Sequence, residues 1–164
     1  MLCPILIRDG SNSQLVPSSE FQKESDLELL LSEFPDLLMD DEETDIKIKF
    51  VDRQVMLEAG RLDLLFVDSE GVPIAVETKL ERNVEARREV VAQVIDYLSS
   101  LTSLTVDELD QRVNGKLDSA LHALTPGSDD SDFDLLWKSV GANLRDGRGP
   151  AKRRYAFHRP YPEI

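Results

Sequence analysis

Apolar and polar positions along the chain fall into blocks of two different periods. Leu27, Leu30, Leu31 and Phe34 recur at helical spacing. They predict an amphipathic helix over about residues 20–33, stopped near Pro35, with Ser18 or Ser19 as cap and Leu37, Leu38 and Met39 continuing the core contact. Ile46-Lys47-Ile48-Lys49-Phe50-Val51 alternates with period two and predicts a half-buried strand, which residues 54–57 extend after a turn or bulge. Residues 61–67 and 73–80 are two further apolar strands, and the short, Gly-ended Asp68-Ser69-Glu70-Gly71 between them predicts a hairpin. Residues 83–101 return to the helical period, with Val84, Val91, Ile95 and Leu98 on one stripe and Val90, Val94 and Leu101 beside it. Residues 105–124 predict one or two short helices capped by Thr105 or Asp107, and residues 133–144 another with Trp137 on its apolar face. At the ends, residues 2–7 predict a short strand closed by Asp9-Gly10, residues 11–19 a polar loop, and residues 153–157 a last strand. The pattern as a whole predicts an α/β domain: a mixed central β-sheet with a three-strand antiparallel portion, flanked by α-helices.

Composition changes this picture little, and charge changes it more. A chain of 164 residues with 41% hydrophobic content fits one globular domain over 1–164 and argues against global disorder. Against 32 acids stand 19 bases, leaving a net charge of −13, which excludes a small basic protein that coats nucleic acid by bulk electrostatics. The charge is uneven. Residues 20–45 hold eleven acids and one base, residues 46–104 are close to neutral, and residues 135–164 are basic, with Lys138, Arg145, Arg148, Lys152, Arg153, Arg154 and Arg159. Such asymmetry suits either a nucleic-acid or partner surface near the C-terminal end or a solvated basic face. Cys3 stands alone, so neither an intramolecular disulfide nor a thiolate zinc site is available. No apolar run approaches the roughly 18–20 residues that span a bilayer. The start lacks a basic leader, so a cytoplasmic protein with no membrane partner is expected.

Candidate chemistry concentrates in residues 60–97. Asp63 sits inside an apolar strand, while Glu77 and Lys79 are two apart in Ile-Ala-Val-Glu-Thr-Lys-Leu. Alternation puts Glu77 and Lys79 on one side. A hairpin centred near Glu70 sets Asp63 opposite Glu77, since each lies seven residues away, and opposed Cβ atoms are roughly 5 Å apart. Two adjacent carboxylates among apolar neighbours repel, and each is costly to bury unpaired. A magnesium ion relieves both effects, and water bound to it can attack a phosphodiester while Lys79 positions that water or stabilises the developing charge. The same spacing also suits a solvent-facing Glu/Lys strand beside a surface Asp. Glu24 and Glu28 form an i, i+4 pair on the first helix, and Gln93 and Tyr97 form another on the long helix.

Taken in order, Gly60-Arg61-Leu62-Asp63-Leu64-Leu65, Val76-Glu77-Thr78-Lys79 and Val91-Ala92-Gln93-Val94-Ile95-Asp96-Tyr97 resemble the PD-(D/E)XK nuclease superfamily, in the branch of RecB-type nuclease domains and NucS-type endonucleases. The resemblance covers about residues 20–101 and continues weakly around Asn143-Leu144-Arg145-Asp146-Gly147-Arg148. It implies a restriction-endonuclease-like core, a Mg2+ or Mn2+ cofactor and hydrolysis of DNA phosphodiesters. It assigns Asp63 and Glu77 as metal carboxylates, Lys79 as the catalytic lysine, and Gln93 and Tyr97 as residues that orient the site or touch DNA. The first-helix glutamate, expected to complete the metal shell through water, falls on Glu24, with Glu28 the other choice. Arg82, Arg87, Arg88, Arg145, Arg148 and Arg153 are the bases placed to meet phosphates, although Arg82 and Arg87 also have Glu81, Glu85 and Glu89 as neighbours to pair with. Residues 102–164 then form a helical, basic extension, which leaves room for a homodimer or for a final strand and helix in a longer chain. The acidic first segment departs from what a polyanionic substrate favours. It supports an alternative reading, a catalytically weak nuclease-like module that docks a basic partner. His122 and His158 have no metal-ligand spacing, and no Gly-rich phosphate loop or Gly-x-Ser-x-Gly elbow is present.

Overall fold

A computed structural model describes residues 5–9, 12–16, 21–39, 45–80, 84–125 and 130–146. Its centre is a three-stranded antiparallel sheet in the order β3-β4-β5, formed by β3 (Ile48–Leu57), β4 (Gly60–Asp68) and β5 (Pro73–Val76). A separate hairpin pairs β1 (Ile5–Asp9) with β2 (Asn12–Val16), so the loop expected over residues 11–19 contains a strand instead. The helices are α1 (Glu24–Glu33), α2 (Val84–Thr102), α3 (Val106–Arg112), α4 (Lys116–Leu124) and α5 (Asp130–Arg145), with a 3-10 turn over Pro35–Leu38. Among the described residues every strand pair is antiparallel, so only the antiparallel portion of the expected mixed sheet is seen. The strand expected at residues 153–157 lies outside the described residues. No described helix is long and apolar enough to cross a membrane.

The sheet separates two apolar clusters. On one side α1 and the 3-10 turn bring Leu31 and Leu38 onto Ile48, Leu64, Phe66 and Ile74. On the other, Val51, Val55, Leu65 and Val67 meet Tyr97, Leu101, Leu109, Leu117, Leu121, Leu136 and Val140 from α2–α5. Trp137 packs, partly buried, against this second cluster, as its place on an apolar face predicted. Burying both faces of β4 explains its near-continuous apolar run, where a half-solvated strand would alternate.

Local chemistry sets the element ends. Thr105 caps α3 in a reciprocal box with Glu108, whose pKa is lowered by the backbone and side-chain hydrogen bonds it accepts from Thr105. The α1 cap is Lys23 with no side-chain bond; Ser18 and Ser19 lie outside the described residues. In the 68–71 turn, Asp68 Oδ1 accepts from Glu70 N and Val72 N, both at 2.9 Å. Gly71 has φ 75° and lies directly beneath α5: a Cβ there would stand 3.0 Å from Ser139 Cβ and 3.0 Å from Val140 N. Asn143 of α5 clamps the same turn by donating to Glu70 O (3.2 Å) and Gly71 O (2.9 Å). Asn143 thus has a packing role.

Two burial expectations are corrected. Val91 and Ile95 are 58% and 59% exposed, while Tyr97 and Leu101 of the same helix are buried. Phe34 and Leu37 are also exposed, and only Leu31 and Leu38 anchor that segment fully. Leucines and valines are frequent enough on these helices that more than one stripe has the right period, and the sheet selects which one it buries.

Candidate active site

The β4–β5 register ends at Leu64 opposite Val76, so the next position across is Asp63 opposite Glu77, as the hairpin symmetry predicted. The strand expected over 73–80 stops at Val76. Its ladder ends because Thr78 turns to Asp63: Thr78 N and Thr78 Oγ1 both donate to Asp63 Oδ2, at 2.9 and 3.0 Å. A carboxylate is a stronger acceptor than a neutral carbonyl, and it captures the N–H that would have continued the sheet. Thr78 is buried and carries this bond out of solvent.

Glu77 and Lys79 remain on one side although they have left the strand. Lys79 Nζ lies 3.7 Å from Glu77 Oε1 and 3.7 Å from Glu24 Oε2. Glu24, at the start of α1, also accepts from Leu80 N at 3.3 Å. Glu28, one turn later and buried, accepts from Gln54 Nε2 at 2.9 Å, and the same Nε2 is 3.4 Å from Asp63 Oδ1. Both candidate glutamates therefore reach the cluster, Glu24 through Lys79 and Glu28 through Gln54.

The electrostatics follow from this packing. The Glu77 side chain is 4% exposed, and its Oε2 is buried with no hydrogen-bond partner. Burial, then the nearby negative charge of Asp63, push the Glu77 pKa up, with Lys79 opposing. Burial works against the charge on Lys79, but Glu24, Glu77 and Asp63 together outweigh it and raise its pKa, so it stays an ammonium. Tyr97 is held protonated by burial and then by the charges of Glu77 and Asp63, and its hydroxyl donates to Arg61 O at 3.0 Å. It braces the backbone two residues before Asp63, with its ring against Gly60. Gln93, one turn earlier, has a buried Oε1 with no hydrogen-bond partner.

Among the described residues, no group of three or more His, Cys, Asp or Glu side chains is set to hold a metal ion. A magnesium-like ion takes one or two carboxylates and completes its shell with water; Asp63 and Glu77 are the residues that could supply them, Glu77 through its buried, unpartnered Oε2. Arg88 and Arg145 are exposed on α2 and α5. Arg82, Arg148, Arg153 and His158, and the Arg87 side chain, lie outside what is described. His122 is exposed and stacks on Phe133 with ring centroids 4.0 Å apart, a packing role. A polar groove of about 400 Å³ opens at Glu58, Ala59, Asp96, Ser99, Ser100 and Ser103, and it shares no residue with the carboxylate cluster.

Two participants went unpredicted, Thr78 and Gln54. The two-residue turn at Glu58-Ala59 between paired Leu57 and Gly60 was the available signal for Gln54, since it sets position 54 opposite 63. Comparison with protein-family models, with curated proteins and with solved structures gives no match for this chain.

Proposed function

We propose that this chain is a divalent-cation-dependent phosphodiesterase acting on DNA, built on the PD-(D/E)XK plan that its ordered motifs resemble. The observation that carries the reading is Glu77: a carboxylate almost fully buried, with an oxygen that has no hydrogen-bond partner, facing Asp63 and neutralised on one side only, by Lys79. Asp63 and Glu77 would hold Mg2+ or Mn2+, which supplies Lewis-acid polarisation of the phosphate and a water of lowered pKa. Thr78 orients Asp63 by two hydrogen bonds. Lys79, kept protonated by its three carboxylate neighbours, serves as a donor that positions the attacking water and stabilises charge developing on the phosphate oxygens, and it is no general base. Glu24 anchors Lys79 and would add negative charge beside a bound cation without ligating it directly. Tyr97 holds the start of β4 in place, and Gln93, one turn earlier, has a buried amide oxygen with no hydrogen-bond partner. Arg88 and Arg145, exposed on α2 and α5, would meet DNA phosphates.

The test is calorimetric titration with Mg2+ and Mn2+, beside a cleavage panel of single-stranded, double-stranded, branched and mismatched DNA. Binding that Asp63→Ala and Glu77→Ala abolish, together with cation-dependent cleavage, is expected. An absence of binding at millimolar cation would sink the enzyme reading and favour a module whose acidic first helix docks a basic partner.

A further inference from the structure

Gln54 is not part of any motif in the sequence, yet the fold builds it into the cluster. It lies on β3 between Arg53 and Val55, whose partners are Leu64 and Leu62, and so stands opposite Asp63. Its φ is 55°, in the left-handed region that residues other than glycine occupy at a steric cost and that concentrates at functional sites. Side-chain alternation breaks at the same rung. Leu62 and Leu64 would share a face in a regular strand, yet they belong to clusters on opposite sides of the sheet. In this conformation one amide nitrogen serves two anions, Glu28 Oε2 at 2.9 Å and Asp63 Oδ1 at 3.4 Å. With Thr78 on Oδ2, Asp63 has a donor on each oxygen.

We infer that Gln54 is a positioning residue whose amide stands between Glu28 and Asp63, holds them apart as separate anions, and keeps Glu28 from joining Asp63 and Glu77 as a third ligand. The inference rests on the cation-site reading above and adds what limits that site to two carboxylates. An NH2 group carries two protons, one for each neighbour. Without it, two partly buried like charges face each other, and a shared cation becomes their nearest source of relief. Two carboxylates with water suit magnesium, whereas three favour a larger ion with more protein ligands, such as Ca2+.

Gln54→Gly is the informative substitution, because glycine accepts the left-handed backbone without strain and only the side chain is lost. Glu28→Gln removes the second charge. In calorimetric titrations, Gln54→Gly should bind Mn2+ about tenfold more tightly than wild type and Ca2+ more tightly still, and adding Glu28→Gln should return both to the wild-type values. In cation-free buffer, Glu28→Gln should raise the Tm of the Gln54→Gly protein by about 3 °C while shifting wild type by less than about 1 °C, a coupling that a double-mutant cycle reads directly. Where the wild type binds a cation, unchanged or weaker binding by Gln54→Gly, or a gain that survives Glu28→Gln, overturns the inference. The cation-free cycle separates the two proposals. If no variant binds a cation but the coupling is present, the function reading fails and the amide's role as divider stands. If the coupling is absent, the inference fails whatever the cation does.

Discussion

At Glu77, burial and charge oppose each other most directly. Its folded-state pKa lies above the ordinary value of 4.5, so the folded protein holds this proton more tightly than the unfolded chain does. The unfolded state therefore binds fewer protons between the two pKa values, and stability falls as pH rises through that window. Glu77→Gln should flatten this fall and raise stability at neutral pH by on the order of 1 kcal/mol in cation-free buffer, read as Tm against pH. The same substitution should abolish cation binding, which separates an electrostatic burden from a structural need. Lys79 gives the complementary prediction. Lys79→Met removes a positive charge beside Glu77 and Glu24, so cation affinity should hold or rise while cleavage falls by roughly 10²–10³-fold. Loss of both together would mean that Lys79 only props up the carboxylates. Asp63, Glu77 and Lys79 were legible in the sequence because a hairpin's turn centre and period-two alternation are local properties. Thr78 was not, since it depends on leaving a ladder for a carboxylate, and for Gln54 the Glu58-Ala59 turn reveals the position opposite Asp63 but not the left-handed torsion.

Among the elements, the bounds of α2 to α4 match the sequence pattern more closely than the buried faces do. The long helix was expected over 83–101 and runs Val84–Thr102, and the 105–124 stretch resolves into α3 and α4 with Thr105 as cap. The face of α2 was misjudged: Val91 and Ile95 point outward, while Tyr97 turns in to find the Arg61 carbonyl. A phenol buried without a partner would be costly, so the available carbonyl helps select the rotation of the helix. The hairpin turn and α5 are coupled in a similar way. Gly71→Ala meets both a left-handed φ and the Ser139 Cβ and Val140 N at 3.0 Å, so it should destabilise by more than about 1 kcal/mol in denaturant unfolding. An unchanged midpoint would mean that α5 can move off the turn freely.

Over the whole molecule, the charge of −13 opposes the proposed polyanionic substrate, and the fold redistributes that opposition. The acidic segment supplies α1, and two of its acids, Glu24 and Glu28, are drawn into the cluster by Lys79 and Gln54. A bound cation would cancel part of the remaining negative field. In chelator, the protein should therefore bind DNA weakly, and Ca2+ should tighten binding by about tenfold or more in fluorescence anisotropy. Equal affinity with and without cation would argue that DNA, if bound at all, does not approach the carboxylates. Turn chemistry, periodicity and charge are local, and they suffice for the order of elements from α1 to α5, the hairpin that sets Asp63 against Glu77, and the concentration of acids in residues 20–45. Which side of α2 is buried, the reach of both α1 glutamates to the cluster, and the place of Gln54 between two carboxylates arise only in the assembled fold. Each of these depends on a partner distant in the chain, Gln54 and Glu28 being 26 residues apart and Leu80 and Glu24 56 apart, and no local pattern encodes a contact across such a separation.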